Sequence, residues 1–519
     1  MPRRALRPIH LRPSRVCLAG LALAAAWSAQ AQEVVSSRKG LFLPSLAAEG
    51  SYVEGRGRPG DGNGREGILR LSPGFRWIDR AGAVQGDVDY VGDLFTRKGR
   101  GTDDTDYRNT LSARLRGELQ RGFAFVDGAA SITQQAVSAF GQQSVAGSLQ
   151  ANTNQTEVRT FSVSPFLRGS AGGLADYEIR VGAGRTSTHG GTEVPPTRTS
   201  DALFRLASPR SGARFGWNLV ATQRRSETGV SSGLANADES RARGTLIWSA
   251  SPQLQLSANA GAESVDEGPS VDRHRGKTGG LGLQWAPSPV TALSGEFEHR
   301  YVGNTGRLNF STRGPRTVFS YSITRDTTFG IDGNAIGAPM TMFQLFFAQA
   351  ATRIPDPVVR EQAVLAELLA LGLDPNQIVS TPLLGRGYSL QRRQDLSVAF
   401  TGRRLTLTVF AFTSSSAGFV ATAPGAEAAL DQPVVQHGYS STLAYRLTPQ
   451  TTVTLGGSRR MTFATQAATG NDLKSAEISL ASQVGLRTTA RLTARYSVFN
   501  SVTDPYRDTS LSTSITLRF

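Results

Sequence analysis

Apolar and polar residues alternate with period two along most of this chain. The pattern is clearest at the end, where Leu511, Thr513, Ile515, Leu517 and Phe519 share one parity. Ser510, Ser512, Ser514, Thr516 and Arg518 share the other. A strand points successive side chains to opposite faces, so this stretch has one mainly apolar face and one polar face. Between Gly67 and Ile78, Leu69, Leu71, Phe75 and Trp77 repeat the apolar stripe. Between Tyr107 and Leu119, Leu111, Ala113, Leu115 and Leu119 oppose Arg108, Arg114, Arg116 and Glu118. Tight turns such as Asp79–Gly82, Gln120–Gly122 and Gly402–Arg404 separate such runs, the signature of antiparallel hairpins.

The pattern predicts strands near 42–53, 67–78, 84–95, 107–119, 123–135, 157–168, 174–186, 200–207, 214–223, 238–249, 253–264, 277–286, 291–302, 306–312 and 316–328. After one interruption come 387–400, 405–413, 435–447, 451–461, 472–484, 488–499 and 509–519. That makes about 22 strands, with 20 to 24 compatible, in the even series of bacterial barrels. About 9–11 residues of tilted strand cross a bilayer. The expected fold is all-β, a transmembrane antiparallel β-barrel. Phe519, Leu517 and Ile515 are its expected assembly signal, on the strand that pairs with the first. A soluble sandwich would need two cores and no terminal aromatic. Phe75, Trp77, Trp248, Trp285, Tyr445, Tyr496 and Phe519 sit near strand ends, as membrane girdles do. With both termini periplasmic, the short turns face the periplasm. Segments 54–66, 136–156, 187–199, 224–237, 265–276 and 414–434 then lie outside as long loops.

One region breaks the rhythm. Residues 329–385 lack strand alternation. Pro339 to Ala351 is apolar and rich in Met and Phe. Asp356-Pro357 reads as N-cap and first helical residue, and Gly372 as the stop of a helix from Val358 to Leu371. The wide apolar surface must be buried. The expectation is a pair of helices packed through Met342, Phe343, Phe346, Leu365, Leu368 and Leu369. Arg360, Glu361 and Glu367 would turn to water or to lumen charges, the whole forming a lid over the external opening.

The start of the chain supplies the compartment. Arg3, Arg4, Arg7, Arg12 and Arg15 precede an apolar run from Val16 to Trp27 and an A-x-A site at Ala29–Ala31. Residues 1–31 read as a signal peptide cleaved after Ala31, and 32–519 as an outer-membrane barrel. The single cysteine, Cys17, leaves with the leader, which excludes disulfide frameworks and thiolate metal sites. The five leader arginines also leave, which lowers the formal charge from +15 to +10. Only Lys39, Lys98, Lys277 and Lys474 are lysines, and Arg forks match phosphate and carboxylate oxygens. The expected partners are outer-membrane lipid and lipopolysaccharide, the barrel-assembly machinery, and an anionic polysaccharide or an export-system protein. Nucleic acid is disfavoured by the export signal.

Catalytic signatures are wanting. His189, His274, His299 and His437 have no metal-site spacing, and neither H-E-x-x-H nor G-x-S-x-G occurs. No enzyme activity, cofactor or metal is expected. Gly55 to Gly60 spells G-x-G-x-x-G without the strand-to-helix context, with Pro59 inside it. The positive signal is a charged lumen. Arg70, Arg76, Arg108, Arg114, Arg116, Arg180, Arg241, Arg243, Arg300, Arg491 and Arg495 fall on the faces opposite the apolar bands. Asp87, Asp89, Glu118, Glu178, Glu296, Glu298 and Glu477 share those faces. Two readings stand: a basic wall that binds anionic substrate, or a ladder of paired charges that stiffens the wall. Asp87 and Arg114 are expected to be cross-strand neighbours.

Several stretches resemble one family. They are Phe42–Leu46, Arg300-Tyr301-Val302-Gly303-Asn304-Thr305, Arg316–Ser322, Arg325–Thr328, and Phe346–Val364 with Ile354–Arg360 at its centre. The family is that of the outer-membrane β-barrels associated with PEP-CTERM and exosortase systems. The resemblance covers most of the mature chain, and Val302 departs from it where an aromatic is expected. It implies a setting beside exopolysaccharide synthesis and protein sorting, and it carries over no functional residue. Two function classes follow: a conduit or accessory for exopolysaccharide export, or an anchoring barrel with a plugged lumen. An importer with an N-terminal plug domain is disfavoured, since strands begin near Phe42.

Overall fold

The computed structural model describes residues 40–519 apart from 59–61, 100–103, 146, 151, 153, 190–195, 210–213, 231–232, 268–272, 330–339, 351–352, 355, 372–374, 376–377, 381–387, 421–428, 431–432 and 466–467. The leader and its cleavage site lie outside the described residues.

Period-two alternation becomes 22 barrel strands, as expected. They are β1 (Leu41–Arg58), β2 (Gly62–Asp79), β3 (Val84–Gly99), β4 (Asp104–Gln120), β5 (Ala124–Ala136), β6 (Gln155–Ala171), β7 (Ala175–His189), β8 (Thr197–Ala207), β9 (Phe215–Val230), β10 (Gly233–Ser251) and β11 (Leu254–Glu267). Then follow β12 (Arg273–Ser288), β13 (Thr291–Arg300), β14 (Gly303–Arg313), β15 (Thr317–Phe329), β16 (Tyr388–Thr401), β17 (Leu405–Val420), β18 (Val434–Arg446), β19 (Thr451–Thr462), β20 (Asn471–Gln483), β21 (Thr488–Asn500) and β22 (Tyr506–Arg518). Each pairs antiparallel with the next. β22 closes on β1 in a continuous register from Ser45↔Arg518 to Arg56↔Arg507. The Phe519 N–H donates to the Pro44 carbonyl at 3.0 Å, one step beyond the strand. Closure leaves no unpaired edge, which a bilayer requires.

The two faces differ as the sequence predicts. Leu69, Leu246, Leu281 and Phe297 point outward and are 62%, 70%, 67% and 55% exposed, a distribution suited to lipid. Trp248, Trp285, Tyr445 and Tyr496 share that outer face. Asp87 and Arg114 stand directly opposite each other on β3 and β4.

The external strand ends differ from expectation. β1 and β2 pair as far as Arg58↔Gly62, and β9 and β10 as far as Val230↔Gly233. Segments 54–66 and 224–237 are therefore largely strand rather than long loops. β17 likewise runs to Val420, into 414–434. Hydrophobic alternation marks only the part of a strand that meets lipid. Above that band the backbone still satisfies its N–H and C=O groups by pairing, whatever the side chains are.

Candidate functional site

The lumen holds two inward structures. The first is the insert between β15 and β16. Met340–Thr341 pairs with Ile378–Ser380 at its stem, and two helices follow the first of these, α1 (Met342–Ala350) and α2 (Pro357–Ala370). α1 opens with a capping box. The Gln344 N–H donates to Thr341 Oγ1 at 3.2 Å, and the Thr341 N–H to Gln344 Oε1 at 3.0 Å. α2 opens as the sequence predicts: the Val359 N–H donates to Asp356 Oδ1 at 3.1 Å, with Pro357 in the first turn.

The helices pack on each other through Met342, Leu345, Phe346, Ala350, Val364, Leu368 and Leu371, with Phe343 at the edge. Val364 and Leu368 are 0% exposed. Of the six residues expected in this core, Met342, Phe343, Phe346 and Leu368 are there. Leu365 is only partly buried, Leu369 lies outside the described side chains, and Leu345 and Leu371 take part instead.

The same cluster includes Phe410 and Phe412 of β17 and Ala444 of β18, and Thr454 of β19 donates to the Leu371 carbonyl at 3.3 Å. On the other side, Glu361 bridges two arginines, with Oε1 2.8 Å from Arg76 and Oε2 2.6 Å from Arg80. Arg76 also lies 5.2 Å over the Phe343 ring. Arg80 is in the tight turn after β2, and Ala444 and Thr454 lie near the short-turn ends of their strands, the side expected to face the periplasm. The hairpin is thus inside the lumen, in the half nearest the short turns. The expected lid at the external opening is corrected to a plug. The reason is local: Phe410 and Phe412 give the inner face of β17 an apolar surface on which the helices' own apolar side packs.

The second structure is the β5–β6 connection, expected as an external loop over 136–156. It bends inward near the external end. Wall side chains hold its carbonyls: Arg460 donates to Ser144 O at 3.1 Å, Tyr506 to Gln143 O at 2.6 Å, Asn471 to Ala139 O at 2.9 Å, and Arg97 to Leu149 O at 3.3 Å. Leu149 packs with Val53, Ile68 and Phe95, and Val145 against Leu473, Phe499 and Tyr506.

The predicted lumen arginines face inward, mostly beside carboxylates. Arg70 pairs with Glu49, and Arg241 with Glu298. Arg76 meets Glu361, and Asp89 at 3.5 Å; Arg108 meets Asp106 at 3.3 Å. Arg116 and Arg180 share Asp127 at 2.7 and 2.8 Å, and Arg180 also touches Glu178 at 3.0 Å. Arg243 pairs with Glu296 at 2.5 Å and Arg495 with Glu477 at 2.6 Å. Arg114 faces Asp87 across the strands, and Arg491 sits opposite Ala481 and Ser514. Eight of these ten form ion pairs with carboxylates, which favours the stiffening ladder over a free basic wall.

β10–β15 carry the densest part of that ladder. Arg241 and Arg243 reach Glu298 and Glu296 across two intervening strands. Gly261 and Gly280 form the floor beneath them, where a Cβ would come within 2.3 Å of a neighbouring carbonyl oxygen. Arg300, 3% exposed, gathers Glu263 at 2.7 Å, Asp326 at 2.7 Å and Glu239 at 3.1 Å. Two of the stretches named above, around Arg300 and Asp326, therefore meet in one buried node. Spacing within the sequence gave no sign of it.

No family model matches the chain, and no curated protein matches it. Among solved structures it is similar to the FrpB iron transporter from Neisseria meningitidis (F5-1 variant), at 11% identity, TM-score 0.48, over 92% of this chain and 82% of that one. It is also similar to the siderophore receptor PirA from Pseudomonas aeruginosa, at 11% identity, TM-score 0.36, over 92% and 80%. A third is OccK5 (OpdH) from Pseudomonas aeruginosa, at 10% identity, TM-score 0.29, over 92% and 98%. Nothing about this chain's cargo follows from them.

Proposed function

We propose that the protein is a gated outer-membrane conduit, or an accessory, for export of an anionic exopolysaccharide in a PEP-CTERM/exosortase-type system. The observation that carries this reading is the seating of the helical hairpin. It brings its own apolar core into the lumen, and a single carboxylate, Glu361, ties it to the opposite wall at Arg76 and Arg80. A gate needs such a unit, able to move without unfolding the wall. Much of the remaining inner face offers hydroxyls and paired charges, groups that exchange hydrogen bonds with sugar hydroxyls and carboxylates. The resemblance around Arg300 and Ile354–Arg360 supplies the exopolysaccharide setting.

The anchoring barrel is the second reading. It is favoured by the two inward structures, which stand against overlapping parts of the wall. Proteoliposomes loaded with a uronic-acid oligomer or with neutral dextran of equal size separate the two. A hairpin-deleted barrel that releases the acidic oligomer faster supports the conduit. Retention of both solutes supports the anchor.

A further inference from the structure

On the outer face, at the long-loop end of the β1–β22 seam, two cations face each other with no ion pair to a carboxylate, although Glu54 shares their face. Arg56 and Arg507 are directly opposed in the seam register, and both are exposed on the outer face. Like charges directly opposite destabilise a strand pair unless an anion sits between them. Lys98, exposed on the same face, stands opposite Gly67 of β2. Among the described residues, no carboxylate forms an ion pair with Arg56, Arg507 or Lys98. The juxtaposition is built into the backbone. Gly57 has φ 85°, and a Cβ there would lie 2.7 Å from the Pro505 carbonyl oxygen. Only glycine lets β1 approach the turn before β22 so closely.

Some outward cations near the same rim are balanced. Arg225 meets Glu227 at 3.0 Å, and Arg459 meets Asp472 at 3.0 Å. Arg185 and Arg198 are also opposed on the outer face without an ion pair, so what sets the seam apart is the surface beside it. Below it the same face carries an apolar groove of about 610 Å³, lined by Gly50, Tyr52, Gly67, Leu69, Leu492 and Leu511. A Cβ added at Gly50 would touch nothing within 4 Å. The groove thus continues the lipid face with space for chains.

We propose that this seam binds lipopolysaccharide of the outer leaflet. Its anchor phosphate sits between Arg56 and Arg507, and acyl chains lie in the groove below, which Lys98 also lines. Guanidinium forks suit phosphate oxygens and form charge-assisted hydrogen bonds with them. Among anionic lipids, one with phosphates on a sugar anchor and several chains fits both halves of the site. The site rests on the external orientation of these strand ends, and it is independent of what passes through the lumen.

The test uses the full-length barrel in lipid nanodiscs, titrated with purified lipopolysaccharide. Arg56→Gln with Arg507→Gln is expected to weaken binding roughly tenfold to thirtyfold, at the usual contribution of each cation near an anionic surface. Arg225→Gln, already neutralised in the parent, is expected to leave it unchanged. Dephosphorylated lipopolysaccharide should bind the parent about as weakly as the native lipid binds the double variant. Heat-modifiable migration verifies that each variant is folded. Equal affinity of parent and double variant would overturn the proposal. So would phosphatidylglycerol competing as well as lipopolysaccharide, or loss of binding in Arg225→Gln to the same degree.

Discussion

The hairpin and the 137–154 loop both fill the lumen, by opposite means. The hairpin carries its own core and presents the wall with apolar rings on one side and one carboxylate on the other. The loop brings two apolar pegs, Val145 and Leu149, and hangs by its backbone carbonyls from side chains of four strands, β3, β19, β20 and β22. A unit with a core can leave as a body. Its departure would expose Phe410 and Phe412, at roughly 1.5–3 kcal/mol each, and would strand the Arg76–Arg80 pair. The loop has internal hydrogen bonds of its own, such as Gln143 Nε2 to Ser138 O at 3.0 Å and Asn154 Nδ2 to Gln142 O at 3.0 Å, but no apolar core, and its two pegs are buried only against the wall. The hairpin is built as a movable part and the loop as a fixed narrowing.

The largest expected effect separates both from the barrel itself. Leu517 faces lipid opposite Leu46, so Leu517→Asp puts a charge into hydrocarbon at up to a few kcal/mol. Outer-membrane yield of the heat-modifiable form should collapse. Replacing 342–371 by a Gly/Ser bridge removes no barrel strand and should leave yield intact, while single-channel conductance rises several-fold. If the bridge variant fails to assemble, the hairpin belongs to the wall and the comparison breaks.

Glu361→Gln should have the next effect. It keeps the shape but removes the charge that two guanidiniums share, at on the order of 1–3 kcal/mol after allowance for the part-exposed Arg80. Brief openings should appear on a closed baseline. A trace like the parent's would show that apolar packing alone seats the hairpin.

Tyr506→Phe removes one suspension of the loop, worth about 0.5–1.5 kcal/mol. Protease nicking near residue 145 should rise modestly, with hairpin-controlled openings unchanged. Coupled changes in both would mean that the two structures act together. The smallest effect belongs to Asp87 and Arg114. A double-mutant cycle on unfolding should return roughly 0.2–1 kcal/mol, the value of a cross-strand charge pair.

Strands and register were legible because lipid on one side and polar lumen on the other force alternation at every membrane-embedded residue. The Asp87–Arg114 pair followed from the two residues' near-equal distances to the loop that joins their strands. The α2 cap followed from Asp356-Pro357, where local chemistry decides. The place of the hairpin was not read, although Phe410 and Phe412 carried a signal. In Leu405–Phe412 the inner parity turns apolar, so both faces of β17 must be covered. The inward bend of 137–154 left no such trace, because its bonds run from distant strands to backbone carbonyls. The lumen arginines were placed on the right face. Their partners, such as Asp127 for Arg180 and Glu239 for Arg300, lie strands away, beyond the reach of any local pattern.

The seat of the hairpin is tested most directly by cross-linking. The chain's one native cysteine is Cys17, in the predicted leader, so Glu361→Cys with Arg80→Cys creates a defined pair. A short bis-maleimide applied to the assembled barrel should join the two and hold conductance at the closed baseline. The uncross-linked double variant should open in bursts. No cross-link in a folded barrel, or a cross-linked barrel that conducts as freely as the hairpin-less variant, would contradict a plug seated inside the lumen.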